Sequence, residues 1–326
     1  MIFSKLAPVK PTVVLDTYWK FACSRQEIFH RRLNGEKRPW TSDPILRGYK
    51  FTNAYRASDR VSQYLIREVI YKGDQNIEEV FFRILLFKLF NKIETWETLQ
   101  EQFGNISFSE YSFNAYNSVL DSEMAKGNRI YSAAYIMASC GTAFGHPRKH
   151  SNHLKLLENM MNDEVPLRIA ELNSMRQVFD LLKSYPGIGD FLAYQFAIDI
   201  NYSRVTNFSE NDFVMPGPGA LDGITKCFES LGGLTEGDII RMMVEKQDDE
   251  FTSRGLKFDS LWGRKLQLID CQNLFCEVDK YARVAHPDIK GRTGRTRIKQ
   301  KYSPNPEPVS FWYPPKWGIN DLIHSR

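Results

Sequence analysis

Apolar residues recur at three- and four-residue steps along much of the chain. In "NIEEVFFRILLFKLFNKIETWETL", residues 76–99, Ile77, Val80, Phe81, Ile84, Leu85 and Leu89 form one stripe, which predicts a single buried or strongly amphipathic helix. The same spacing places Val61, Tyr64, Leu65 and Val69 on one face of "DRVSQYLIREVIY", and "NRIYSAAYIMA" and "SMRQVFDLLKSY" also read as helices. Strict alternation is scarce, with "TRIKQKYS" at residues 296–303 the best strand candidate. The pattern predicts a mainly α fold with few short strands and ordered connections. A helical catalytic region is expected over residues 1–285. A basic, Pro- and aromatic-rich extension, residues 286–326, is expected to pack on it, with "SPNPEPVSFWYPPKW" lying extended over the helical body.

Two stretches punctuate this pattern with glycine. In "SYPGIGDFLAYQFAIDINYS", residues 184–203, Pro186 stops one helix, Gly187 and Gly189 permit backbone angles a side chain forbids, and Asp190 opens the next. Such a helix–hairpin–helix offers backbone N–H groups to a DNA phosphate, with Gly187, Ile188 and Gly189 as the contact residues. Downstream, in "NDFVMPGPGALDGITKCF", residues 211–228, an irregular Pro-Gly loop leads into a helix bearing Lys226. The N–H groups of Gly217, Gly219 and Ala220, together with Lys226, suit a phosphate or diphosphate.

Composition and charge narrow the class. The 326 residues suffice for one large domain or two ordinary ones, and 42% hydrophobic with 25% charged residues is a globular balance. Five scattered cysteines without a CxxC pair suggest neither a zinc ribbon nor a disulfide framework, and they read as reduced thiols in a cytoplasmic protein. No long apolar run implies a membrane span. The net charge of +4 is unevenly spread: residues 1–60 carry 12 Lys/Arg against 5 Asp/Glu, and residues 254–326 carry 14 against 7. The sharpest piece is "KGRTGRTRIKQK", residues 290–301, with six basic residues and no acid. Arg292, Arg295, Arg297 and Lys299 there are candidate phosphate contacts. His146, His150 and His153 in "HPRKHSNHL" have passable metal spacing, but a polar loop is the better reading, and no metal or other cofactor is expected.

The hairpin and following loop resemble the DNA glycosylases of the helix–hairpin–helix superfamily. The chain departs from them at Phe191, where bifunctional members carry lysine, and at "PGPGA", where monofunctional members open a helix with Val-Asp. A closer resemblance rests on four blocks in order: residues 38–70, "PGIGDFLAYQFAIDINYS", "DFVMPGPGALDGITKCF", and "LQLIDCQNLFCEVDKYARV" at 266–284. These are similar to the α-glutamyl/putrescinyl thymine pyrophosphorylases, or amino acid:DNA transferases, which in turn resemble the helical domain attached to some hydroxymethyluracil DNA kinases.

That resemblance implies a hypermodification of phage DNA. An amine, from an amino acid or putrescine, displaces pyrophosphate from the carbon on C5 of a modified thymine in double-stranded DNA. With no GxxxxGK[ST] loop in the sequence, the chain is not read as the kinase. The reaction needs a flipped base, cations around the leaving group and a carboxylate to take a proton from an ammonium. Arg56, Arg60 and Lys280 are the candidate cations, with Asn53 for a base edge; Asp212, Asp199 and Glu277 are the candidate proton acceptors. Arg56 and Arg60 are expected one helical turn apart on one face, with Asp59 beside them, and Glu277 and Lys280 are spaced for a helix-surface salt bridge. Cys276 keeps a covalent addition open. A glycosylase for an unusual base and a non-catalytic DNA-binding subunit remain as alternatives.

Overall fold

A computed structural model describes residues 7–133, 137–141, 143–304 and 310–323. Helices dominate: α1 (Val13–Leu33), α2 (Pro44–Gly48), α3 (Arg60–Tyr64), α4 (Ile77–Phe90), α5 (Ile93–Phe103), α6 (Phe113–Ala125) and α7 (Lys149–Asn162) come first. They are followed by α8 (Val165–Ala170), α9 (Met175–Lys183), α10 (Asp190–Asn201), α11 (Pro218–Cys227), α12 (Glu236–Ser253) and α13 (Leu268–Ala285). The sheet among the described residues is a two-stranded antiparallel pair, β1 (Lys10–Pro11) with β2 (Phe228–Ser230). The mainly α expectation therefore holds. No helix among the described residues is long and apolar enough to cross a membrane.

The chain divides into two compact units: Met1–Asp59, Phe213–Phe311 and Asp321–Arg326 in one, Arg60–Asp212 and Trp312–Asn320 in the other. The boundary expected at residue 285 has no counterpart in this division, because most of the basic extension folds with the first unit. Both basic ends of the sequence fall largely in that unit. It holds 27 Lys/Arg against 20 Asp/Glu, a net of +7, whereas the second holds 16 against 19.

In the first unit α11 lies directly against α13. A Cβ at Gly223 would stand 2.0 Å from the Phe275 carbonyl oxygen, and one at Gly219 would stand 2.3 Å from Cys276 Sγ. Only glycine lets the two backbones approach so closely. α1 buries Tyr18, Trp19, Phe21 and Ala22, and Tyr18 donates to the Cys271 carbonyl of α13 at 3.1 Å. Its start is fixed by Thr12, whose hydroxyl accepts from Val14 N–H and whose own N–H donates to Cys227 O at 2.8 Å.

In the second unit α4 and α10 are buried nearly all round, as their continuous apolar sequences require. The single helix expected over residues 76–99 is broken at Asn91, which turns left-handed at φ 49° and caps α4. Asparagine tolerates that conformation because its short polar side chain bonds locally, here accepting from Lys88 Nζ at 2.9 Å. Residues 65–70 continue α3 as a π-helical segment. "NRIYSAAYIMA" is not the expected helix: its described residues are irregular, and residues 134–136 lie outside them.

The strand expected at "TRIKQKYS" reduces to one antiparallel bridge between Tyr49 and Lys301, where Lys50 N–H donates to Gln300 O and Tyr302 N–H to Gly48 O. Residues 305–309 of the Pro-rich tail lie outside the described residues. Beyond them Phe311 stacks edge-on to Phe29 in the first unit. In the second unit Tyr313 is fully buried and stacks with Trp317, whose ring meets Tyr202 edge-on.

Candidate active site

The first unit gathers a dense polar cluster where the segment 51–59 crosses α1 and α13. α13 begins with a capping box between Gln267 and Asp270, and Asp270 Oδ1 also accepts the Arg56 N–H at 2.8 Å. This bond fixes the short 3₁₀ turn Arg56–Ser58 against the start of α13. One face of α13 then presents Asn273, Glu277 and Lys280 at steps of four and three residues. Asn273 Nδ2 donates to Thr52 Oγ1 at 3.0 Å, and Glu277 Oε2 accepts both the Thr52 N–H at 3.0 Å and Lys280 Nζ at 2.6 Å. The Lys280 ammonium also stands 5.4 Å from the centroid of the Phe51 ring.

From α1, Arg25 donates through Nε to Thr52 O at 2.8 Å and through Nη2 to Asn53 Oδ1 at 2.9 Å. Burial lowers the Arg25 pKa, opposed by the charges of Asp59 and Glu277. Asn53 is held at every polar group: its side chain donates to Ser58 O at 2.7 Å, and its N–H donates to Asp59 Oδ1 at 2.8 Å. Asp59 is half-buried. Desolvation pushes its carboxyl up to about 7; the Asn53 N–H pulls down, the Glu277 carboxylate raises it further, and Arg25 and Arg56 lower it. The result is a small site with two carboxylates, two guanidiniums of which Arg56 is buried, an ammonium and a fixed amide.

Of the residues singled out in the sequence, Asn53, Arg56, Glu277 and Lys280 meet here. Others do not. Arg60 is exposed at the start of α3 in the second unit, and the extended Asp59 backbone separates it from Arg56, so the expected shared helical face does not form. Asp199 is fully buried in α10 and ion-paired to Lys88 at 3.2 Å. Asp212 is exposed at the end of the second unit. Lys226, expected as a pyrophosphate contact, is 1% exposed, 2.9 Å from Asp279 Oδ1, and donates to the Asp279 carbonyl. A helix face pressed against α13 gives it no surface to project from. Gly217 caps α11 and Ala220 is buried beside it; Gly219 serves the close approach to Cys276. The Cys276 thiol is pushed up to about 12 by burial and by Glu277, which disfavours the thiolate that covalent addition would need.

The basic segment is held as a strap. Asp222 of α11, a carboxylate near the Pro-Gly loop, accepts the Thr293 N–H at 2.9 Å and the Thr293 hydroxyl, and Arg292 is bound to Thr225 and Glu236. Arg292 is thus a structural contact, whereas Arg295, Arg297 and Lys299 are exposed. Lys301 covers the Tyr49 ring at 4.4 Å.

The hairpin in the second unit joins α9 to α10 through residues 184–189, with Gly187 at φ 79°. Its Ile188 side chain is buried, so only backbone groups there remain for a phosphate. A Cβ at Gly187 would meet Cys140 Sγ at 2.9 Å, and Lys183 pairs with Asp190 at 2.6 Å across the turn. Two of the three histidines are not on a polar loop. His150 and His153 are buried on α7; His153 donates to Ala138 O and accepts from Tyr131, and burial lowers its pKa to about 4. His146 lies before the helix, and no group of three or more potential metal ligands occurs among the described residues.

A helical fold with a charged cluster between a loop and a long helix defines a class only broadly; comparison of the sequence narrows it. The family model for the helical domain of 5-hmdU DNA kinases matches residues 12–291, and the chain belongs to that family. The 5-hmdU DNA kinase of Bacillus phage SP10 is 26% identical over 284 residues, covering 82% of this chain and 44% of the relative. The chain therefore spans less than half the length of that curated relative. No solved structure matches it. The cluster lies wholly inside the family span, while Arg292 and the exposed cations of the strap lie beyond it.

Arg25, Asp59 and Asn273 were not among the site residues singled out in the sequence. The Glu277–Lys280 pair was legible from its three-residue spacing, whereas Asn273 did not stand out among the other polar residues of α13, Asp270, Gln272, Asp279 and Arg283. Asp59 was masked by its neighbours, because an acid beside two arginines reads as an ion pair.

Proposed function

We propose that the chain is an enzyme of DNA thymine hypermodification. It replaces the pyrophosphate of 5-pyrophosphoryloxymethyl-uracil in double-stranded DNA with an amine, drawn from an amino acid or from putrescine. The observation that carries this reading is the convergence of Asn53, Arg56, Glu277 and Lys280 on one half-buried cluster within the family span. The name of the phage relative, a 5-hmdU DNA kinase, supports DNA bearing a modified thymine as the substrate class.

In this reading the amine nitrogen forms a bond to the exocyclic carbon as the carbon–oxygen bond breaks, and pyrophosphate leaves with the bonding pair. Arg56 and Lys280 offset the charge gathering on the leaving oxygens, an electrostatic contribution that grows where water is excluded. Asn53, immobilised from several sides, offers a fixed edge for the base, which must leave the stack at a cost of about a few kcal/mol. Arg295, Arg297 and Lys299 of the strap, with the hairpin backbone of Gly187 and Gly189, would engage phosphates.

The test is mass spectrometry of nucleosides digested from an oligonucleotide bearing 5-pyrophosphoryloxymethyl-uracil, after incubation with the protein, amino acids and putrescine. A nucleoside whose mass identifies an added amine is expected. An unchanged base would instead favour a DNA-binding subunit, and an abasic site a glycosylase.

A further inference from the structure

We infer that Asp59 is the proton acceptor for the attacking amine, resting on the transfer reading above. Two of the carboxylates singled out in the sequence are committed: Glu277 to Lys280 and Thr52, and Asp199 to Lys88. Asp59 differs. One oxygen is fixed by the Asn53 N–H, and the other carries no hydrogen bond to any described residue. Charged groups act on it from three segments of the first unit: Arg25 from α1, Arg56 from the 3₁₀ turn and Glu277 from α13.

Such surroundings hold a carboxylate in place without satisfying it. The arginines keep an anion tolerable, and the Glu277 carboxylate makes a bound proton welcome. The step balances simply. An N–H of the donor ammonium gives its proton to the second Asp59 oxygen, and the freed lone pair bonds to the exocyclic carbon. Pyrophosphate departs with the electrons of its C–O bond, and Asp59 afterwards returns the proton to water. Protonation near neutrality suits this work, since a general base functions best when its pKa lies close to the operating pH.

The experiment compares wild type, Asp59→Asn and Asp59→Glu in the oligonucleotide assay with the amino acid and putrescine pool, from pH 5 to 9, alongside DNA binding by fluorescence anisotropy. Wild-type kcat/KM should rise through a limb near pH 7. Asp59→Asn should lose that limb and about 100-fold or more in rate with DNA affinity within about threefold, while Asp59→Glu restores part of both. Retention of rate and limb by Asp59→Asn would overturn the assignment while leaving the transfer reading intact. An inactive wild type would sink the transfer reading and the assignment with it. Carboxyl 13C NMR of intact wild type needs no variant: an aspartate titrating between pH 6 and 8 is expected, and titration of every aspartate below pH 5 would overturn it.

Discussion

Three acidic side chains show how differently the molecule treats charge. Asp199 and Asp279 are almost completely buried, and each has a lysine within about one ion-pair distance: Lys88 at 3.2 Å and Lys226 at 2.9 Å. Asp59 has instead a single N–H donor, and its carboxyl rises to about 7, mainly by desolvation. For an acid whose pKa is raised in the folded state, the folded protein keeps the proton after the unfolded chain has released it. Stability therefore falls as pH rises from about 4 through 7, and the full cost persists above. Asp59→Asn is expected to be more stable than wild type at pH 8 by about 1–2 kcal/mol, allowing for its half-buried position, with the gain disappearing by pH 4. Urea melts at the two pH values measure this. A site that sacrifices stability for a poised group behaves in this direction.

Among the elements, α11 and α13 carry the most specific fit. Gly223→Ala would force a methyl into a space where the Phe275 carbonyl stands 2.0 Å away, so either helix must shift. A loss of about 1–3 kcal/mol is expected in chemical denaturation, read as a lower midpoint at an unchanged m-value. Periodicity foresaw α4, α9, α10 and α11, because each has a long apolar stripe or a glycine–proline boundary. It missed the break at Asn91, whose left-handed turn depends on a local bond to Lys88. It also missed why the glycines of "PGPGALDG" matter: Gly219 and Gly223 serve contact with a helix about 50 residues away in sequence, which no local pattern records. Glu277 and Lys280 were legible as an i, i+3 pair; their company of Thr52, Asn53 and Arg25 depends on tertiary packing.

At the scale of the whole molecule, positive charge is concentrated in the unit that holds the cluster, net +7 against −3 for the other. The two basic ends seen along the sequence are therefore one basic body rather than two separate grips. In the proposed function, DNA affinity should draw chiefly on that body. Replacing Arg295, Arg297 and Lys299 together by alanine is expected to reduce the slope of log affinity against log salt by about 2–3, near 0.9 per lost phosphate contact. Anisotropy titrations between 50 and 200 mM salt measure it, as an order-of-magnitude window for such contacts. An unchanged slope would move phosphate binding to the hairpin.

The paired buried lysines have a use of their own. Lys226 lies in the first unit and Lys88 in the second, and both are shielded from solvent. An amine-reactive reagent should mark exposed lysines such as Lys299 within minutes while sparing these two until their surroundings open. Peptide mapping of a labelling time course would then give each unit its own clock: Lys226 for the body with the cluster, Lys88 for the body with the hairpin.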